Sequence, residues 1–321
     1  MYPPYKITKK SLKLIVDISN LIGRYEGIHS PVPTPQLRKQ NKIKTIYGTL
    51  AIEGNTLTIE QITAIIENKR VIGPKKDIIE VNNAIKAYQD LSLFNQHSLE
   101  SLSKAHKIFM QSLVKDAGQI RIGNVGIFKD GKVSHVAPQP KMLPRLLKNL
   151  FEFFKKSDEH KIIKSCIFHY EFEFIHPFSD GNGRLGRFWQ SVILYNYNNI
   201  FEYIPIEFLI KENQRDYYKV LEQCDKEGES TTFIEFILEI IFRGLEDFLE
   251  NIKTSPIDIE VRIAKAKEYF KTKTFTRKDY LNLFKTISTA TGSRDLQHCV
   301  KNKIVKKSGD KRLTVYKFLN R

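Results

Sequence analysis

His176-Pro-Phe-Ser-Asp180-Gly-Asn-Gly-Arg184-Leu-Gly-Arg187 is the stretch that decides how this 321-residue chain reads. Pro177 disfavours a helical backbone at the residue before it, so a helix expected over 159–174 stops at His176 and a loop begins. Gly181 and Gly183 permit a tight turn. Their N–H groups converge on an anion at the start of the next helix, expected near 184–198, where the helix dipole favours negative charge. Arg184 and Arg187 lie three apart on the first turn and face the same anion, and a planar guanidinium suits phosphate oxygens. Asp180 is a hard oxygen ligand suited to Mg²⁺, which is commonly held by one or two carboxylates plus substrate phosphates. His176 has an ordinary pKa near neutrality and can take a proton. Anion nest, metal carboxylate, two arginines and a base describe a nucleotide phosphoryl site.

Outward from this stretch the chain reads as mainly α-helical. On the N-terminal side, a helix over 11–24 precedes Pro31, Pro33 and Pro35, which forbid helix there. A helix over 36–53 then stops at Gly54-Asn55. Thr58-Ile-Glu-Gln61 is a capping-box pattern that starts a helix over 59–68. Further helices are expected near 76–93 and 99–114. Ile127-Phe-Lys-Asp130-Gly131-Lys-Val133 reads as a β-hairpin, because Asp-Gly supplies the positive φ angles of a tight turn. Helices near 143–156, 208–226 and 231–251 complete the main body. Thr254-Ser255-Pro256 reads as a linker. Helices over 258–271, 276–284 and 288–301 follow, then two short strands, so residues 257–321 resemble a winged helix-turn-helix.

The 176–187 string resembles the Fic family signature, His-Pro-Phe-x-Asp/Glu-Gly-Asn-Gly-Arg-x-x-Arg, with no departure at a defined position. The resemblance extends over roughly 36–250. It implies a Fic-type helical bundle with a small β-hairpin flap, and a protein adenylyltransferase that moves AMP from ATP to a Ser, Thr or Tyr hydroxyl. On it, His176 is the base and Asp180 holds Mg²⁺. The stretch Gly181, Asn182, Gly183, Arg184, Leu185, Gly186 and Arg187 binds ATP. Gly118-Gln-Ile-Arg121 and the following hairpin, with Val125, Gly126, Ile127 and Phe128, resemble the target-docking flap. Ile204-Pro-Ile, Tyr217 and Tyr218 resemble the adenine side of the pocket. Thr49-Leu-Ala-Ile-Glu53-Gly54 resembles the family's inhibitory-helix pattern, which implies that Glu53 pairs with Arg187 where the γ-phosphate should bind. A bifunctional or AMP-removing enzyme is the variant reading. The expected domains are 1–98 with the inhibitory helix, a catalytic core over 99–251, and 257–321.

Charge gives the alternative. Residues 257–321 hold seventeen Lys and Arg against six acids, a net +11 out of the chain's +16. That asymmetry points to a polyanion partner, and Ser288 to Gln297 resembles the start of a DNA recognition helix, with Arg294 in reach of a base edge and Lys306, Lys307, Lys311 and Arg312 along the wing. The rival function is therefore a DNA-binding regulator whose other domain senses nucleotide. Other expected partners are a protein carrying a hydroxyl side chain, the chain itself as acceptor, and a second copy in a homodimer. No apolar run is long enough to span a bilayer, and no signal-peptide core is seen at the N-terminus, so a cytoplasmic protein without membrane contact is expected. Cys166, Cys224 and Cys299 are far apart and form no CxxC pair, which argues against a disulfide framework or zinc ribbon.

Overall fold

A computed structural model describes residues 3–27, 33–129, 132–254, 259–284, 287–310 and 313–319. The expected Asp130-Gly131 turn, Pro31, the Ser255-Pro256 part of the linker, Lys311 and Arg312 lie outside these residues. Two compact units emerge: residues 1–28 with 35–250, and residues 29–34 with 251–321. Apart from residues 29–34 and 251, the segments 1–98 and 99–251 share one unit.

In the first unit, α1 (Lys9–Glu26) starts at a capping box of Thr8 and Ser11. Helix α2 (Pro35–Ile52) begins one residue earlier than expected, with Pro35 as its first residue. A proline breaks a helix interior but suits this position, where its missing N–H would have no partner. Helix α2 packs on α9 (Ile206–Glu212) at Gly48, where a Cβ would sit 2.4 Å from the Phe208 nitrogen. Then come α3 (Ile59–Ile66), capped by Thr58 and Gln61, α4 (Lys75–Ala87) and α5 (Leu99–Met110). The expected helix over 76–93 is shorter, with a 3₁₀ turn at Leu91–Leu93.

Strands β1 (Gly126–Lys129) and β2 (Lys132–Val136) pair antiparallel, with an irregular register between Ile127 and Phe128. Helices α6 (Leu143–Lys156), α7 (Lys161–Ile175) and α8 (Asn182–Tyr195) follow, and α7 and α8 pack closely as an antiparallel pair around the 176–181 loop. The single helix expected over 208–226 is two, α9 and α10 (Gln214–Glu227), broken at Asn213. The Asn213 amide side chain donates to the Leu209 carbonyl at 2.8 Å, a local bond that competes with helix continuation. Helix α11 (Thr231–Thr254) runs on through Thr254, which was expected in the linker.

The core of this unit is aromatic. Phe188 of α8 meets Tyr88, Phe94 and Phe109 edge-to-face at 5.0–5.2 Å, and Trp189 beside it is fully buried. Helix α8 is therefore locked by its far side, which leaves its N-terminus as a fixed platform.

The second unit has α12 (Ile259–Phe270), α13 (Arg277–Leu283) and α14 (Thr289–Lys301), then antiparallel β3 (Val305–Ser308) and β4 (Val315–Phe318). Phe270, Phe275, Tyr280, Leu296, Val305 and Phe318 form its core. Arg262 and Asp295 make a buried two-pronged ion pair at 2.6 and 2.8 Å. The three cysteines are free and buried. Among the described residues no helix is long and apolar enough to cross a membrane.

Candidate functional site

The site is the loop between α7 and α8. His176 ends α7, and it does so in the left-handed region at φ 47°, ψ 61° rather than in the extended conformation that a following proline usually imposes. A residue with a Cβ adopts this conformation at a cost of about 1–2 kcal/mol, and it holds only where neighbours enforce it. Arg121, 4% exposed, donates from Nε to the His176 carbonyl at 2.7 Å. The Arg121 backbone N–H donates to the Pro177 carbonyl at 2.9 Å. On the imidazole, Nδ1 lies 3.3 Å from the Glu173 carbonyl. A carbonyl only accepts, so Nδ1 carries the proton in that contact, and in the neutral ring Nε2 carries the lone pair.

Two further ties close the loop. Asn182 accepts from the Phe178 N–H and donates to the Phe178 carbonyl, both at 2.9 Å. Its side chain therefore sets the loop. His106, fully buried and stacked on Phe178 at 3.8 Å, contacts the Asp180 carbonyl through Nε2 at 2.8 Å. Its Nδ1 accepts from Gly118 N–H, so Nε2 is the protonated nitrogen and the ring is neutral. Burial pushes the His106 pKa down, which agrees with that state.

Gly181, at φ 84°, precedes α8 where a Cβ would strike the Met110 sulfur. Helix α8 makes no side-chain cap hydrogen bond, so its first-turn N–H groups point at the site unsatisfied by a cap. Gly183 faces Glu53: a Cβ there would lie 2.5 Å from Glu53 Oε1. Leu185 points into the core, and Gly186 faces Glu173, His169 and Phe172 on α7, so neither offers a side-chain group to an anion.

Both arginines are buried and carboxylate-paired. Arg187, 2% exposed, donates from Nη2 to Glu53 Oε1 at 2.6 Å and to the Thr49 carbonyl at 3.1 Å, with Nε 3.4 Å from Thr49 Oγ1. Burial, the largest single influence, would lower the Arg187 pKa, but Glu53, Tyr217 and Glu173 together outweigh it and hold the guanidinium above its ordinary value. Arg184 donates to Glu80 at 2.9 Å and to Asp180 Oδ1 at 3.1 Å, while its buried Nε makes no hydrogen bond. Asp180 is 51% exposed, and its Oδ1 also accepts from Gly181 N–H.

Of residues 176–187, Arg187 and Gly183 lie against Glu53, and Arg187 also against Thr49. The tyrosines divide. Tyr217 is buried with its hydroxyl 3.2 Å from His169, whereas Tyr218 is half-buried and donates to the Ile52 carbonyl at 3.3 Å. Val125 is half-buried at the foot of β1, and the backbone of Gly126, Ile127 and Phe128 forms that strand. Sequence reasoning missed His106, Glu80, Asn55 and Asp77. Asn55 donates to Glu80 at 2.8 Å, and Asp77 accepts from Thr56 N–H at 2.8 Å, which bolts the turn after Glu53 onto α4. The Gly54-Asn55-Thr56 run was a signal for the Asn55 and Asp77 contacts alone, since short polar residues after a helix stop generally bond a neighbouring element.

Fold and loop together define a helical protein with a glycine-containing loop between two antiparallel helices. Residues 96–194 match the Fic/DOC family model. A Fic family protein from Desulfovibrio desulfuricans G20, solved by crystallography, is 34% identical, superposes with a TM-score of 0.77 and covers 100% of this chain and 99% of its own. "Protein adenylyltransferase Fic" of Nematostella vectensis is 27% identical over 71% of this chain and 54% of its own length. The Aedes aegypti protein of the same name is 30% identical over 66% and 42%. The chain belongs to the Fic family. It spans about half the length of the curated relatives it matches.

Proposed function

We propose that this chain transfers AMP from ATP to a hydroxyl side chain of a protein, and that Glu53 restrains it. The observation that carries this reading is the Arg187–Glu53 pair beside the N-terminus of α8. A buried cation that could receive a phosphate is instead occupied by the carboxylate of the residue that follows α2. Relatives named protein adenylyltransferase support the same chemistry.

In the productive state, the first-turn N–H groups of α8 receive phosphate oxygens, and the bare Arg184 Nε is a further donor beside them. Arg187 takes the outer phosphate once Glu53 has withdrawn. His176 Nε2 removes the proton from the acceptor hydroxyl, the oxygen attacks the α-phosphorus, and pyrophosphate departs. The proton then passes from the imidazolium to pyrophosphate or water. A single exposed carboxylate with one oxygen already engaged suits Mg²⁺ carried by the nucleotide better than a protein-built metal cage. Asp180 would hold the ion, which would neutralise phosphate charge. Acceptors include the chain's own hydroxyls.

The test is incubation of wild type, Glu53→Gly and His176→Ala with α-³²P-ATP and Mg²⁺. Label in Glu53→Gly, weak in wild type and absent in His176→Ala, supports the reading. Equal label in all three contradicts it. Label that falls with time on a pre-modified protein, in a Glu53-dependent manner, would instead favour AMP removal.

A second reading concerns residues 257–321, read as a winged helix-turn-helix that binds duplex DNA. The observation favouring it is the face of α14. Arg294, Gln297, His298 and Lys301 are exposed, while the helix's one acid, Asp295, is turned inward onto Arg262. Lys306, Lys307 and Lys317 are exposed on the following strands. A mobility shift that weakens steeply with salt and is lost in Arg294→Ala/Lys301→Ala supports it; no binding at low salt overturns it.

A further inference from the structure

Arg121 lies outside the signature, yet it touches every piece of backbone that frames the target side of the site. Its guanidinium uses three different nitrogens on three carbonyls. Nε reaches His176 at 2.7 Å, Nη1 reaches Gly123 at 2.8 Å, and Nη2 reaches Pro138 at 2.7 Å. Gly123 lies just before β1 and Pro138 just after β2, so two bonds hold the two feet of the hairpin and the third holds the peptide of the base. Among the described residues, no carboxylate hydrogen-bonds this buried cation. Burial lowers its pKa, the expected direction for a charge taken out of water. A charge kept in such a place without a counter-ion needs a geometric reason. Three divergent carbonyls supply one: only a rigid, planar fork reaches all of them, and the ammonium of a lysine is a single point.

We propose that Arg121 is the positioning residue that sets the hairpin against His176, so that the acceptor hydroxyl and the base meet in register. This rests on the proposed transfer reaction. The His176 backbone is left-handed, and its carbonyl is the one Arg121 grips. Release of that grip lets His176 relax toward the extended conformation that Pro177 favours, which swings the imidazole away. The feet of the hairpin lose their common anchor in the same step. The nucleotide groups on α8 are untouched, because Arg184, Arg187 and the helix N-terminus make no bond to Arg121.

The test uses the full chain carrying Glu53→Gly, with Arg121→Gln, Arg121→Lys or, as a matched destabilised control, Leu147→Ala in the core of α6. Self-labelling from α-³²P-ATP·Mg²⁺ gives kcat and the KM for ATP. Expected is a fall in kcat of about a hundredfold in both Arg121 variants, as a displaced catalytic group produces. The KM for ATP should hold within about twofold, since nucleotide binding is left alone. Leu147→Ala should lose comparable Tm and keep its kcat. A kcat loss in Leu147→Ala equal to that in the Arg121 variants, full activity in Arg121→Lys, or a rise in KM alone overturns the proposal.

A second readout needs no turnover. The ¹³Cα and ¹³Cβ shifts of His176 report its backbone conformation in histidine-labelled protein, assigned by their absence in His176→Ala. They should move out of the left-handed range in Arg121→Gln. Unchanged shifts overturn the inference. If the Glu53→Gly parent takes no label, the transfer reading fails and these shifts still decide whether Arg121 holds His176.

Discussion

Removal of the Glu53 carboxylate should strengthen ATP binding by an amount that the Arg187 geometry sets. Arg187 Nη2 and Glu53 Oε1 are 2.6 Å apart, with the guanidinium buried and Glu53 29% exposed. A hydrogen bond to a charged group contributes about 1.5–3 kcal/mol. Partial exposure of Glu53 favours the lower half of that range. A γ-phosphate must break this bond before it can use Arg187, so Glu53→Gly should tighten ATP roughly 10- to 50-fold, at about 1.4 kcal/mol per tenfold. The gain is selective. AMP has no outer phosphate to place on Arg187, so its affinity should change by less than about threefold. Isothermal titration calorimetry with ATP, ADP and AMP on wild type and Glu53→Gly reads both quantities. The free variant should also lose stability, by about 1–3 kcal/mol, because it leaves a buried guanidinium with only the Thr49 contacts. Saturating ATP should restore Tm through linkage. Equal ATP affinity in the two proteins, or an equal gain for AMP, would refute the assignment of Arg187 to the outer phosphate.

Other consequences follow from neighbouring contacts. Asn182→Ala removes both bonds that close the 178–182 loop and should cost about 2–3 kcal/mol in urea unfolding. Gly48→Ala forces a Cβ into the Phe208 backbone and should destabilise by about 3 kcal/mol or more, read as a drop in Tm. The buried His169 has its pKa lowered from 6.5 to about 3, first by burial and then by Arg187. The unfolded chain therefore takes up the proton first as pH falls. Stability should be complete above about pH 6.5 and fall by roughly 1.4 kcal/mol per pH unit below it, down to about pH 3. His169→Gln should remove that part of the slope in denaturation midpoints measured from pH 7.5 to 4.5. A slope unchanged by the substitution would show that His169 is not the group involved.

The loop chemistry was legible because it is local. Gly181 and Gly183 answer to close contacts with Met110 and Glu53, and a twelve-residue spacing fixed which helix end holds the arginines. Helix starts at Thr58, Ser98 and Thr276 were legible for the same reason, since each caps with a side chain within three residues. What sequence could not supply was tertiary. His106 lies 74 residues from the carbonyl it contacts, and Glu80 lies 104 residues from Arg184. A lone histidine or glutamate on a helix carries no sign of such a partner. The break at Asn213 failed for the opposite reason. Helical periodicity runs through it, and one side-chain bond to Leu209 decides otherwise. His176 lies between these cases. Its proline gives the helix stop, but its carbonyl is bonded by Arg121, 55 residues away.

AMP transfer differs from every other use of ATP in which phosphorus ends on the protein. Glu53→Gly chain should be incubated in parallel with α-³²P-ATP and γ-³²P-ATP under identical Mg²⁺, and the products mapped by mass spectrometry. Retention of α-label alone, with an added AMP on a Ser, Thr or Tyr and none in His176→Ala, is the result required when a hydroxyl deprotonated by His176 attacks the α-phosphorus. Retention of γ-label, or α-label that survives in His176→Ala, would contradict it.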